Sequence, residues 1–103
     1  MRKMVHAKFD GRCAYCGQEI TLKQMQVDHI HPRYNGGKND FENLNPACRV
    51  CNNWKLTHSV EQFRHEIEMQ IERLRLRSSN FRMAERYSLV ETTGKPVIFW
   101  FER

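Results

Sequence analysis

The stretch ENLNPACRVCNNWK (residues 42–55) carries the second of two C-x-x-C pairs. With the first, CAYC (13–16), it accounts for all four cysteines of the chain. Two residues between partners let both sulfurs of a pair reach one tetrahedral ion, and two such pairs complete a closed four-thiolate shell. The spacing reads as structural zinc held by Cys13, Cys16, Cys48 and Cys51. Disulfides are one rival, but they form in oxidising compartments, and the basic N-terminus MRKMVHAKFD lacks the apolar stretch of a secretory signal. A dithiol redox motif is the other, and it rarely comes in two copies. Gly17 follows the first pair, where the backbone can turn left-handed around a bound sulfur.

Size and composition make such a staple useful. At 103 residues one small domain, 1–103, is expected, and a core of that size gives modest stability. The formal charge of +5 favours polyanions, of which nucleic acid is the commonest in a cell. Four thiolates on one zinc would lower that sum by about two. Mean hydropathy is −0.75 and the longest apolar run is VIFWF (97–101), too short to span a membrane. An intracellular protein is expected.

The segments around the cysteines read as a ββα unit. ITLKQMQVDHI (20–30) suits a turn and then a strand, PRYNGGKNDFEN (32–43) a loop, and NLNPAC (43–48) a strand that Pro46 demotes toward an edge. RVCNNWKLTH (49–58) has room for about two helical turns. Ser59 with Gln62 forms a capping box, and Val60, Phe63, Ile67, Ile71 and Leu74 recur at helical spacing, which predicts one long helix. Arg73, Arg75 and Arg77 suit its C-terminal end, as solvated charge or as contacts to a DNA backbone. Asn80 is the expected cap of a short helix over FRMAERYSLV (81–90), and VIFWFE (97–102) reads as a terminal strand packed on the long helix or on another subunit. The fold class is α+β.

Taken in order, VDHIHPRYNGG (27–37) and ENLNPACRVCNNWK, set between paired cysteines, resemble the HNH endonuclease family in its zinc-stapled ββα-metal form. The resemblance covers about half the chain, a core near 9–58, and leaves an extension near 59–103 outside it. It implies that Asp28 binds a divalent ion, that His29 is the general base, and that Asn43 holds the loop. Many members carry histidine where this chain has Asn52; the departure looks like the HNN subclass, so a ligand role is carried to Asn52. DNA is the implied substrate, with 5′-phosphate and 3′-hydroxyl products. Small free-standing relatives suggest phage DNA processing, packaging beside a terminase included, in the cytoplasm of a bacterium or infected host. A homodimer or a terminase-like protein is the partner this suggests, and no membrane.

The residue chemistry agrees with those roles. Phosphodiester hydrolysis needs an activated water, which a neutral imidazole can deprotonate, and charge stabilisation, which a divalent cation supplies. Mg2+ or Mn2+ would find oxygen ligands in Asp28 and Asn52, and the amide favours such hard ions over zinc. Lys55 lies near the Asn52 face of a helix and could meet a phosphate; Arg33, Lys38 and Arg49 could track a phosphate backbone or be solvated surface. His31 reads as solvent-facing or loop-bracing, with substrate or metal contact open; His58 as capping-box neighbour rather than ligand; His6 and His65 as surface; and Trp54 as core rather than a base-stacking platform. Alternation would send Asp28 and His29 to opposite faces unless the strand ends, twists or bulges there. A zinc-stapled module that binds nucleic acid or protein without cutting is the alternative, and it leaves the ordered Asp-His, Asn and Asn-x-x-Lys unexplained.

Overall fold

The structure, a computed structural model, describes all 103 residues. It forms two compact units: Met1–Phe63 with Ile98–Arg103, and Arg64–Val97. The first reaches beyond the 9–58 core expected from sequence.

In the first unit, β1 (Gln26–His29) and β2 (Leu44–Ala47) pair antiparallel, with Asp28 opposite Asn45 and His29 opposite Leu44. Helix α2 (Arg49–Lys55) follows directly, so the predicted ββα order is present. Its start is set by Cys48, whose Sγ accepts the Cys51 N–H at 3.3 Å and serves as N-cap. Pro46 lacks an N–H, but its carbonyl accepts from Ala14 N at 2.8 Å and β2 is buried throughout. The other flank is covered by a helix the sequence reading did not expect, α1 (Arg2–Ala7). Lys8, just after it, donates to the carbonyls of Leu44 at 2.8 Å and Phe41 at 3.2 Å.

The apolar centre of this unit is aromatic. Tyr15 meets Phe63, Phe99 and Phe101 edge-on, with centroids 5.1–5.7 Å apart, and Phe63 stacks on Phe99 at 5.2 Å. Full burial of one such ring contributes about 1.5–3 kcal/mol. The terminal strand expected over 97–102 is absent: residues 100–102 form a 3-10 turn. Trp100 N and Phe101 N donate to the carbonyls of Tyr15 and Ala14, and Glu102 accepts from Phe99 N at 2.8 Å. Consecutive N–H groups spent on one side of a turn cannot also make an alternating strand ladder. Trp100 lies so close over Gly17 that a Cβ there would fall 2.6 Å from its ring; Gly17 has φ +79°, the left-handed turn anticipated after the first cysteine pair.

The Ser59–Gln62 capping box is formed in both directions, at 2.9 and 3.1 Å. The helix it starts is α3 (Val60–Glu68), and α4 (Gln70–Arg77) continues after an interruption at Met69, where the Gln70 side chain donates to the Glu66 carbonyl at 2.8 Å. The single long helix is thus two. Of its predicted stripe only Phe63 is fully buried; Leu74 is exposed.

In the second unit, α4 packs on α5 (Ser79–Arg86). The cap of α5 is Ser78, whose Oγ accepts the Phe81 N–H at 3.1 Å, and not Asn80, because the chain turns helical one residue after Ser78. Arg75 makes a two-pronged contact with Glu85, at 2.7 Å through Nη2, and Arg73 meets Glu66 at 2.7 Å, so two of the three arginines assigned to the helix end are ion-paired. No helix is long and apolar enough to cross a membrane.

Candidate active site and four-cysteine cluster

The four sulfurs of Cys13, Cys16, Cys48 and Cys51 lie within 4.8 Å of one another. Cys16 Sγ and Cys48 Sγ are 3.8 Å apart, far beyond the roughly 2.05 Å of a disulfide. A zinc–sulfur bond of about 2.3 Å implies a tetrahedral edge of about 3.8 Å. Backbone N–H groups of Tyr15 and Gln18 point at Cys13 Sγ and Cys16 Sγ at 3.4 and 3.5 Å. A hydrogen bond from Cys51 draws the Cys13 thiol down to about 4, while Cys51 is pushed well above the thiol range by giving that bond, and burial raises Cys16. Sulfurs this close cannot all carry charge without a cation among them. The donor set fits a metal of the zinc type.

The second constellation is built on the end of β1. His29 is its last residue, and Ile30 N then donates to the Asn43 carbonyl at 2.9 Å. Because the strand stops there, Asp28 and His29 both border one cleft of about 200 Å3, with Asn52 and Arg33 also in its lining. Tyr34, 85% exposed, stands at its rim.

Asp28 is buried, its Oδ2 accepting from the Tyr15 hydroxyl and its Oδ1 from Lys55 Nζ at 3.2 Å. Burial pushes its carboxyl above the ordinary value of 3.8, against the pull of the Tyr15 hydroxyl and the Lys55 charge. Tyr15 is raised far above the usual phenol range, by burial first and then by the Asp28 charge. Asn45, across the ladder from Asp28, is buried with its Nδ2 unpaired. Because burial penalises the charged Asp28 carboxylate, added positive charge beside it would be favourable.

His29 Nε2 is 2.6 Å from Asn39 Oδ1. Asn43 lies outside the cleft and binds the loop from behind. Its Oδ1 accepts His31 N at 2.8 Å, and its Nδ2 donates to the carbonyls of His31 at 3.0 Å and Lys38 at 2.7 Å. His31 Nε2 reaches the Asn35 carbonyl at 2.9 Å and so braces the same loop.

Other residues stand elsewhere than expected. Lys55 is fully buried between Asp28 and the His29 carbonyl, 2.9 Å away, so it cannot lie against a phosphate on the surface as read from the helix alone. Lys38 borders a different hollow, with Gly36 and Asn43, and Arg49 lies on the cysteine side, beside Cys48 and Gln18. Trp54 is half-exposed, since the aromatic core is filled from Tyr15, Phe63 and the C-terminal turn. His6, read as surface, is half-buried, with Nε2 2.7 Å from the Ile20 carbonyl. His58 is not in the cleft lining. Sequence reasoning missed Tyr15 and Asn39. Tyr15 had one signal, an aromatic inside the first cysteine pair; Asn39 had none.

Comparison with known proteins agrees with this architecture. The HNH endonuclease family matches residues 13–57, so this segment carries an HNH endonuclease domain. Over 45 residues it is 47% identical to the CRISPR-associated endonuclease Cas9 of Corynebacterium diphtheriae, covering 43% of this chain and 4% of that protein. The crystal structure of the Type II-C Cas9 enzyme from Actinomyces naeslundii is similar in fold, with a TM-score of 0.58 and 23% identity over 92% of this chain and 11% of that one. The chain thus spans a small part of the length of either relative.

Proposed function

We propose that this protein hydrolyses phosphodiester bonds of DNA, with His29 as general base and with Asp28 and Asn52 holding one divalent ion. The observation that carries the reading is that these three side chains border a single cleft. A buried carboxylate and an amide oxygen suit a hard ion such as Mg2+ or Mn2+, which keeps several waters and needs few protein ligands. When bound, that ion would stabilise charge on the phosphate and on the departing 3′ oxygen.

The remaining work falls to the chain. With Asn39 Oδ1 as the acceptor, His29 Nε2 would carry the proton and Nδ1 would be left to take one from the attacking water. Asn43 keeps the loop closed behind His31 and so keeps the start of that loop, His29, in place. Arg33, in the cleft lining, would meet a neighbouring phosphate. The products would carry 5′-phosphate and 3′-hydroxyl ends.

The test is cleavage of supercoiled plasmid with Mg2+, Mn2+ or EDTA, with His29→Ala alongside. Loss of a general base lowers the rate by about 10²–10⁴-fold. Nicking or linearisation that needs the metal and falls by that factor in the variant is expected. Equal cutting by the variant would overturn the role of His29, and EDTA-insensitive binding without cutting would favour a binding module.

A further inference from the structure

Tyr15 belongs to both constellations at once. Its N–H points at Cys13 Sγ at 3.4 Å, its carbonyl accepts Trp100 N at 3.0 Å, and its hydroxyl donates to Asp28 Oδ2. Tyr15 is 3% exposed and its ring is held edge-on by Phe63, Phe99 and Phe101, so the hydroxyl has one direction available. Burying a phenol hydroxyl is unfavourable unless it is bonded, and a phenylalanine would fill the same space. The hydroxyl is there for the carboxylate.

We infer that Tyr15 is a positioning residue for the metal-binding carboxylate, and that through it the four-cysteine knuckle sets the affinity of the cleft for its divalent ion. The inference rests on the reading of Asp28 as a ligand. It gives the cysteine cluster a second role beside stapling the fold: the backbone that wraps the sulfurs also carries the group that aims Asp28. Outer partners of ligating carboxylates commonly affect metal affinity about 10–100-fold.

The experiment compares zinc-loaded wild type, Tyr15→Phe and Asp28→Asn for zinc content, thermal melting and Mn2+ affinity by calorimetry, with plasmid cleavage followed against Mg2+ concentration. In Tyr15→Phe, zinc is expected to stay at one per chain while the Mn2+ Kd rises about 10–100-fold. Cleavage should need correspondingly more Mg2+ and recover toward wild type at saturation. If Asp28→Asn loses Mn2+ binding but Tyr15→Phe binds as wild type does, the positioning role is overturned and the ligand role of Asp28 stands. If Asp28→Asn binds Mn2+ normally, the ligand role fails and the inference fails with it. Should Tyr15→Phe lose zinc, the wild-type chain grown with 3-fluorotyrosine provides the reading. Its Tyr15 fluorine resonance, assigned with Tyr34→Phe and Tyr87→Phe, should shift on Mg2+ titration, and a resonance that stays put overturns the link.

Discussion

Lys55 Nζ lies 3.2 Å from Asp28 Oδ1, and both side chains are withdrawn from solvent. The pair joins the last residue of α2 to the third of β1. Removing one partner of a buried ion pair costs about 3–5 kcal/mol, because the other charge is left without compensation. Lys55→Met is expected to destabilise the fold by that amount in urea denaturation, and Lys55→Met with Asp28→Asn to recover most of it. Full additivity of the two changes would show that the contact carries no coupling.

Asp28 also makes stability depend on pH in a particular sense. Its native carboxyl titrates above the ordinary 3.8, so between the two values the folded chain holds a proton that the unfolded chain has lost. The stabilisation is present below the unfolded value and disappears as pH rises through the native one. Without added divalent ion, the stability difference between wild type and Asp28→Asn should therefore shift against wild type as pH rises across that window. Parallel pH curves for the two proteins would contradict this. Mg2+ should restore the wild type selectively above the window.

The two glycines of the loop make separate demands. Gly36 has φ +91° with open space around it, so Gly36→Ala should cost about 1–2 kcal/mol from the left-handed backbone alone. At Gly37 an added Cβ would fall 1.7 Å from the His31 carbonyl oxygen, the same group that Asn43 holds. Gly37→Ala must displace that loop, and should melt lower than Gly36→Ala and lose cleavage while zinc content stays at one per chain. Wild-type cleavage by Gly37→Ala would mean the loop position is not needed.

Cys48 is both a member of the sulfur cluster and the N-cap of α2, the helix that bears Asn52. Metal binding in small domains is part of the folding free energy. Cys48→Ser is expected to bind zinc poorly and to melt well below wild type, measured by metal analysis and calorimetry on the same sample. A variant with full zinc and an unchanged melting temperature would remove the cluster from the stability argument.

Features that depend on near neighbours were readable along the chain. The Ser59–Gln62 box spans three residues, the strand–loop–strand–helix order follows from turn residues and periodicity, and each C-x-x-C pair is local in itself. The Asn80 cap was misplaced by two residues because Ser78, Ser79 and Asn80 are all competent caps, and only the start of the helix selects among them.

The cysteine spacing and the order Asp28, His29, Asn43 and Asn52 were thus determined by sequence alone, since ligand chemistry depends on residue type and on short covalent spans. Tertiary structure decided the rest. Tyr15 reaches Asp28 across 13 positions and Lys55 across 27, and the C-terminal turn returns to Tyr15 from residue 100. Helical periodicity placed Lys55 beside a surface phosphate because it reports only which face of its own helix a residue occupies. Whether that face meets solvent or a buried carboxylate depends on what the distant chain places against it, and desolvation together with charge pairing then sets the role of the side chain.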